Sequence, residues 1–567
     1  MDRNLILAFA LSFLVLTLWS MVQEPTPAPE DRGEPLAEAT PAPPAPGDAR
    51  SASRYPELAA SAETPAREVP APSEVERREG EAEPETIALA HSLYRVELST
   101  EGAAIRDWEL LHPKYTDKFG DPVRLVAPED AFAATATPLP ELGLGDLSRR
   151  VWTLGSKTDT EVRFSIERAG VTVTKTYAFS DDGYDFALHI EVSNGGSEPV
   201  APAFLVELPV VERTGNDFRE QGAAALADGE LESTLLAGLG KAGFFGQFTG
   251  ARDGESVELE GEIDWAGAQT PYFLTAVFPD QPSAARARFA PIEPGRSGAV
   301  QVFFAPVSLP PGQAASRVYR GYFGPKEPDR LEAFAPSAVA SIDLGFSFIA
   351  PMTRAFGWLL AVIYSFIPNY GWAIIVLTIL VRLVMTPLTM KQMRSMERMR
   401  KIQPKIKEIQ EKYADDRQKQ SEQMMSLYRS EKVNPLGGCL PLLLQLPVFI
   451  GLFYALRSSI QLRHAPFIGW IDDLSAPDLL FTLPGVDFPI RVLPLLMGAS
   501  MFVQQKLTPM QIDPAQARMM LILMPGMMTV ISYTFPSGLV LYWMMSNVLA
   551  IAHQLWVGKQ MEPAAKS

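Results

Sequence analysis

The sequence predicts a multi-domain membrane protein, with an α-helical polytopic core of six transmembrane helices and an all-β periplasmic sandwich domain. Two patterns predict this fold class. Long apolar runs cluster after residue 331, and period-two alternation of apolar and polar residues fills much of the chain between 91 and 330. The charge argues against a nucleic-acid-binding protein. The 50 basic and 66 acidic residues give a net charge of −16, which leaves no basic face for specific nucleic-acid binding.

The N-terminal segment, residues 1–22, is predicted to be an uncleaved transmembrane signal anchor. Leu5–Val22 is an apolar run of 18 residues, with Arg3 before it and Glu24 after it, so the N-terminus is expected in the cytoplasm. A cleaved signal peptide is the alternative, but no small-x-small cleavage site follows the run.

Residues 23–90 are predicted to be a disordered periplasmic linker. They contain 13 prolines, 15 acidic and 6 basic residues. Such a composition cannot bury enough apolar surface to offset the entropy lost on ordering the chain.

The β-sandwich is assigned to residues 91–330. Val171–Phe179 and Tyr184–Val192 both alternate, and Ser180–Gly183 between them has the composition of a turn. Further alternating segments recur between glycines and prolines, which is typical of a sandwich. If the anchor prediction holds, this domain lies outside the membrane.

Residues 331–370 are predicted to contain an amphipathic helix in the outer interface, with apolar side chains at helical spacing across Phe346–Phe366. A seventh span is the alternative. Six spans place the loop 391–434 in the cytoplasm, and its 12 Lys/Arg against 7 Asp/Glu agree with that side. Six spans also place residues 23–370 in the periplasm and both termini in the cytoplasm.

The core, residues 371–558, is predicted to hold five spans, and residues 559–567 a short cytoplasmic tail. The spans are Trp372–Met390, Gly437–Leu456, Ile490–Leu507, Ala517–Phe535 and Leu539–Val557. Between the first two, residues 391–434 are predicted to form a helical hairpin, because Ile402, Ile406 and Ile409 continue a coiled-coil seam. Its basic residues suit membrane topology and anionic lipid, or contact with ribosomal RNA.

Arg382 is the most informative residue of the core. It lies ~18 Å from the outer end of its predicted helix, and no Asp or Glu occurs in the predicted spans. Snorkelling to the cytoplasmic face is one explanation. A hydrated groove open to the cytoplasm is the other, because further polar residues share the region. They are Thr378, Thr386, Gln445, Gln504, Ser546 and Asn547.

No catalytic, cofactor or metal site is predicted. One cysteine and five scattered histidines provide neither a disulfide framework nor the spacing of a zinc site. Walker A loops, GxSxG elbows and carboxylate pairs within the spans are all missing from the sequence. An enzyme is therefore not expected.

Five motifs resemble the YidC membrane protein insertases over about 220 residues. They are Leu377–Thr389 around the arginine, Gln403–Ile406, Lys432–Cys439, Gln445–Pro447 and Phe535–Leu539. The domain before them resembles the periplasmic domain of the Gram-negative members. Residue 543 departs from the pattern, because Trp543 stands where tyrosine is common.

This resemblance implies a function and a set of partners. The family inserts and folds inner-membrane proteins, alone or beside the Sec translocon, and uses no cofactor. It implies nascent membrane proteins, ribosomes at the cytoplasmic loops and membrane lipid as partners. It also implies that Arg382 is the groove charge, that Thr378 is a contact one turn away, and that Tyr542 and Trp543 face the substrate.

Two other functions remain open from the residues alone. A secondary transporter would also carry an intramembrane charge, although internal repeats and acidic partners are not seen. A membrane-anchored periplasmic carbohydrate-binding module would place the active part in the β-domain. His189 and Glu191 alternate to one face of a strand there and are the nearest candidate pair.

Overall fold

The computed structural model describes residues 83–117, 120–213, 220–239, 255–413, 416–431, 440–485, 488–507 and 514–561. The predicted anchor and most of the predicted linker and tail lie outside these residues.

The first half of the described chain forms three antiparallel sheets. Strands β1 to β4 make the first sheet, in the order β1-β2-β3-β4. The second has nine strands in the order β11-β10-β13-β14-β17-β8-β7-β6-β5, and the third has the order β12-β15-β16-β9. The strand bounds are β1 Thr86–Ala90, β2 Tyr94–Ser99, β3 Ala104–Leu110, β4 Arg124–Val126, β5 Thr153–Lys157, β6 Glu161–Arg168, β7 Val171–Phe179, β8 Asp185–Asn194, β9 Val206–Val211, β10 Gly222–Ala227, β11 Glu230–Leu235, β12 Val257–Leu259, β13 Ile263–Gln269, β14 Phe273–Pro279, β15 Ala285–Glu293, β16 Ser297–Phe304 and β17 Ala314–Pro325.

The predicted hairpin in the middle of this domain is confirmed. Strand β7 pairs antiparallel with β8, from Val171 opposite Asn194 to Phe179 opposite Phe186. Side chains along β7 alternate between buried and partly buried, as the period-two pattern predicts. The all-β prediction for this half of the chain is thereby confirmed.

The first strand begins earlier than the boundary drawn from the sequence at residue 91. Thr86–Ala90 pairs along its whole length with β2 and buries Ile87 and Leu89 on one face. The strand is only five residues long and follows a long Pro/Glu-rich stretch. The average composition of the residues around it is therefore that of a linker, which hides the strand. Its apolar alternation is the signal that identifies the strand.

A continuous aromatic core holds the sheets together. Trp108, Trp152 and Trp265 are fully buried, and the ring of Trp108 stacks on Tyr94 with centroids 4.1 Å apart. Burying such rings contributes several kcal/mol each, so this domain has an ample core of its own.

The second half of the chain is helical, apart from a two-stranded hairpin of β18 Phe481–Leu483 and β19 Phe488–Ile490. The helix bounds are α1 Pro328–Phe334, α2 Ala350–Phe366, α3 Tyr370–Lys412, α4 Arg417–Ser430, α5 Leu440–Arg457, α6 Val492–Leu507, α7 Pro514–Ser532 and α8 Ser537–Met561.

Helix α2 corresponds to the predicted interfacial helix. It begins at Ala350 rather than Phe346 and ends at Phe366 as expected. Pro368 cannot donate a backbone hydrogen bond, and the side chain of Asn369 accepts one from the amide of Trp372, which caps the next helix.

Helix α3 differs from the prediction, because the span and the first arm of the hairpin are one helix of 43 residues that contains Pro387 and Pro404. The hairpin itself is present. Asp416 caps α4 by accepting a hydrogen bond from the amide of Lys419, and Ile402 packs with Ile406 and Tyr428. Ile402 and Ile406 thus form the predicted seam.

The number of spans stays a prediction. Within the described residues, Tyr370–Pro387 and Ser537–Trp556 are long and apolar enough to cross a membrane. Leu446–Arg457 and Leu521–Ser532 are shorter apolar helices. Helix α6 has 16 residues, or ~24 Å of helix, which is less than the ~30 Å hydrocarbon core of a bilayer.

Candidate functional site

The guanidinium of Arg382 reaches across from α3 to α8. Its Nη2 donates hydrogen bonds to the hydroxyl of Ser546 at 2.6 Å and to the carbonyl oxygen of Ser546 at 2.9 Å. Within the described part of the chain, no carboxylate lies within ion-pair distance of Arg382. A partly buried cation here is therefore held by neutral oxygens, which stabilise it less than a carboxylate would.

The hydrophobic core of the helices lies on one side of this arginine. It gathers the first two turns of α3 and α8, the start of α6 and the last turns of α5, and it includes Leu377, Leu456, Leu493 and Leu539. Beyond it along α3, Leu383 and Val384 are exposed. The buried apolar cluster of the helices therefore lies on the side of Arg382 nearer the β-domain.

The loop between α5 and α6 closes the packed end. The amide of Gly538 donates to the carbonyl of Leu474 at 2.9 Å, and the hydroxyl of Ser537 donates to the carbonyl of Asp473 at 2.7 Å. Asp478 accepts hydrogen bonds from the amides of Val492 and Leu493 and so caps α6. These contacts tie the loop to the starts of α6 and α8.

Helix α8 uses two consecutive polar residues to contact two neighbours. Ser546 faces Arg382 on α3, and the side-chain amide of Asn547 donates to the hydroxyl of Ser500 on α6 at 3.1 Å. Consecutive residues on a helix point about 100° apart, which lets the pair contact both helices. Ser546 and Asn547 were predicted from the sequence, whereas Ser500 was not, because nothing in its apolar helix singles it out.

The two threonines beside Arg382 bond to their own helix. Thr378 is buried, and its hydroxyl donates to the carbonyl of Ile374 at 2.6 Å. The hydroxyl of Thr386 donates to the carbonyl of Arg382 itself at 2.8 Å. Thr378 therefore packs within the core, whereas partly buried Thr386 lies one turn further along the open side.

The two aromatic residues on α8 have different surroundings. Tyr542 is buried in the helical core and interacts with Ser546, so it belongs to the Arg382 cluster. Trp543 is partly exposed and stacks on Phe449 of α5, with ring centroids 5.1 Å apart. Phe449 is a further candidate contact that sequence reasoning missed, because nothing in its apolar helix singles it out.

Two further predicted site residues lie in α5 and α6. Gln445 lies in α5, but its side chain falls outside the described residues. Gln504 is partly buried near the end of α6, beyond Ser500 on the open side.

The two residues of the predicted pair in the β-domain differ in exposure. His189 is partly buried, and burial lowers its pKa, while Glu191 beside it on β8 is exposed. Among the described residues, no group of three His, Cys, Asp or Glu side chains is placed to hold a metal ion.

Two family models match the chain in succession. Residues 86–359 match the model described as "YidC periplasmic domain", and residues 362–565 match the one described as "60Kd inner membrane protein". The boundary between them falls within α2.

Curated relatives match nearly the full length. A protein of Geotalea daltonii named membrane protein insertase YidC is 34% identical over 577 residues, covering 99% of this chain and 100% of the relative. One of Nitratidesulfovibrio vulgaris with the same name is 36% identical and covers 98% of this chain and 99% of the relative. A third, of Pelobacter propionicus, is 41% identical over 69% of this chain and 70% of the relative.

Proposed function

Since this chain belongs to the YidC family of membrane protein insertases, we propose that it moves nascent transmembrane segments from the cytoplasm into the inner membrane through a hydrated groove centred on Arg382. The family assignment rests on the relatives that match nearly the full length of the chain. The chain is an insertase of the inner membrane and not an enzyme. The groove and its residues are our proposal.

The contacts of Arg382 carry this proposal. Its guanidinium is only partly buried and bonds to Ser546, with no carboxylate in ion-pair distance among the described residues. A cation in that position needs water, or an acidic group that binds transiently, to stabilise its charge. An acidic residue in the translocated tail of a substrate supplies such a partner for a short time.

The position of the packed core supports a one-sided groove. Apolar packing and the loop between α5 and α6 close the end near the β-domain, whereas Leu383 and Val384, directly after Arg382 on α3, are more exposed than Ile379 and Leu380 before it. A segment that enters from the far end therefore meets Arg382 before it meets this closed end. The short α6 adds to this, because a helix of that length thins the bilayer around it and shortens the distance a polar tail must cross.

The proposed groove lining combines the residues around Arg382 with polar residues predicted from the sequence. We propose that Thr386, Gln445, Gln504 and Asn547 line the groove with Arg382 and Ser546. Trp543 on Phe449 offers an apolar surface for the incoming helix. Thr378 and Tyr542 hold the cluster from the buried side, and Tyr542 meets substrate only if α8 moves.

Topology and partners complete the proposal. We propose that both termini are cytoplasmic and that residues 23–370 are periplasmic. The hairpin of α3 and α4 is then cytoplasmic, where its basic residues contact the ribosome or anionic lipid. Nascent inner-membrane proteins are the substrates, and the Sec translocon is a partner for the more complex ones.

The proposal is tested by insertion into vesicles that contain the purified chain. A single-span substrate with a short acidic tail is synthesised beside them, and protection of the tail from protease measures insertion. We expect protection with the chain, a severe loss with Arg382→Ala, and near-normal insertion with Arg354→Ala, which removes an exposed arginine from α2. Equal loss in both variants, or protection in empty vesicles, would overturn the proposal.

A further inference from the structure

The β18–β19 hairpin, of which the structure describes residues 479–485 and 488–490, presents an apolar outer surface at the end of the helices nearest the β-domain. Its two strands pair in register, with Phe481 opposite Ile490 and Leu483 opposite Phe488. Large apolar side chains on it are exposed, namely Leu479, Leu480, Phe481, Leu483 and Phe488. Exposed apolar residues at this density mark a surface that meets something other than water.

The charged residues that flank the hairpin are directed away from this surface. Asp478 is buried and caps α6 while accepting a hydrogen bond from the indole of Trp470 at 2.9 Å. Arg491 donates to the carbonyl of Tyr533, and its guanidinium lies 4.9 Å from the centre of that ring. No charged side chain is exposed on the described residues of the hairpin.

The apolar surface continues onto α7. The ring of Phe488 stacks on Tyr533 at 5.7 Å, and the hydroxyl of Tyr533 donates to the carbonyl of Pro489. Tyr533 directly follows α7, whose Val530 is 74% exposed and whose Leu523 is also exposed. In an insertase of the inner membrane, an apolar helix face of this kind meets lipid.

We propose that this hairpin lies in the membrane interface and inserts its apolar side chains into the lipid leaflet on the β-domain side. Its backbone suits that depth, because the strands satisfy each other's hydrogen bonds and the interface tolerates the remainder. Trp372 at the start of α3 is exposed, and its ring centroid lies 5.6 Å from that of Phe467 in the loop between α5 and α6. An exposed tryptophan at a helix end is typical of the membrane interface. The proposal goes beyond insertion itself.

The test places a nitroxide label on the hairpin in the full-length chain. Cys439, the single native cysteine, is replaced by serine, and Leu483→Cys is labelled. The control is Leu231→Cys on the β-domain, because Leu231 is 37% and Leu483 is 38% exposed. Leu523→Cys on α7 is the lipid reference. The proteins are reconstituted into vesicles of phosphatidylethanolamine and phosphatidylglycerol.

Collisions of each label with oxygen and with a water-soluble nickel complex are then measured by electron paramagnetic resonance. We expect the oxygen-to-nickel ratio at 483 to be several-fold higher than at 231 and close to that at 523. A ratio equal to that at 231 would place the hairpin in water and overturn the proposal. Dipolar broadening between labels at 483 would identify a second copy as the occupant and also overturn it. Substrate insertion by the same vesicles is scored separately, so failure here is distinguishable from failure of the proposed function.

Discussion

Ile460 and Leu462, two residues apart in one short 3-10 helix, belong to the hydrophobic cores of different domains. Ile460 packs into the β-sandwich and Leu462 packs among the helices. The next residue, Arg463, donates from Nη1 to the carbonyl of Lys114 at 2.9 Å and lies over the ring of Phe273. The loop after α5 thus joins the sandwich to the helical core.

Ile460→Ala should weaken this junction. Ile460 is 2% exposed, so the truncation removes buried methyl groups and leaves a cavity, at a cost of about 2–5 kcal/mol. We expect a lower urea midpoint in pulse proteolysis of the full chain. Ile468→Ala is the control, because Ile468 belongs to the same loop but is 59% exposed. Equal shifts for both variants would show that Ile460 does not carry the junction.

Deleting the sandwich, residues 86–325, should leave insertion of simple substrates largely intact, because Arg382 and Ser546 contact each other within the helical core. The truncated chain should nevertheless melt at a lower temperature, since Ile460 becomes exposed. The exposed Ile460 should also make the truncated chain less soluble in detergent, and Ile460→Ser should restore part of that solubility. Loss of insertion at normal protein level would contradict the separation of the two domains.

Substitutions at Arg382 should separate charge from shape. Arg382→Lys keeps the charge and should keep most activity, although the hydrogen bonds to Ser546 change geometry. Arg382→Ala should impair substrates with acidic tails more than the same substrates with Asp and Glu changed to Asn and Gln. Protease protection of paired substrates measures the difference. If both tails suffer equally, Arg382 has no electrostatic role.

Gly498 should be needed for the close approach of α6 and α7. A Cβ at this position would lie 2.0 Å from the hydroxyl of Thr529, so Gly498→Ala should cost about 1–3 kcal/mol. Thr529→Ala removes the obstructing atom and should restore most of the loss. Gly526→Ala on α7 is the control, because its added Cβ meets open space. Thermal unfolding in detergent compares the unchanged chain, Gly498→Ala, Gly498→Ala combined with Thr529→Ala, and Gly526→Ala. If the combined variant is no more stable than Gly498→Ala, the predicted contact is wrong.

Lys326 should make the stability of the chain depend on pH in the alkaline range. Its ammonium donates to Gln269 and to the carbonyl of Ser341, both at 2.7 Å, and burial lowers its pKa to about 7. Between pH 7 and the ordinary lysine pKa, the unfolded chain binds the proton more tightly. The contribution of Lys326 to folding is therefore least favourable below pH 7.

That contribution should improve by up to ~1.4 kcal/mol per pH unit as the pH rises above 7. Pulse proteolysis in urea at a series of pH values measures the slope. Lys326→Met should remove this part of the slope, whereas Lys157→Met, at an exposed lysine of the same domain, should leave it unchanged. An unaltered slope in Lys326→Met would assign the pH dependence to other groups.

Local patterns predicted much of this molecule, and contacts distant in sequence were the part they missed. The β7–β8 hairpin follows from alternation around a turn, and the isolated charge of Arg382 points to the candidate site. Its partner Ser546 is 164 residues away, and periodicity contains no information on such pairs. The core position of Ile460 was missed for the same reason, because its loop has no regular pattern.

The continuous α3 has the geometry of a lever. About 30 residues, or ~45 Å of helix, separate Arg382 from the end of α3 at Lys412. A tilt of ~10° at the arginine would thus displace the far tip by ~8 Å. Pro387 and Pro404 both lie between them and cannot donate to the carbonyls of Leu383 and Arg400, so bending concentrates at these two prolines. Force applied at the tip of the hairpin is therefore transmitted through Pro387 before it reaches the guanidinium.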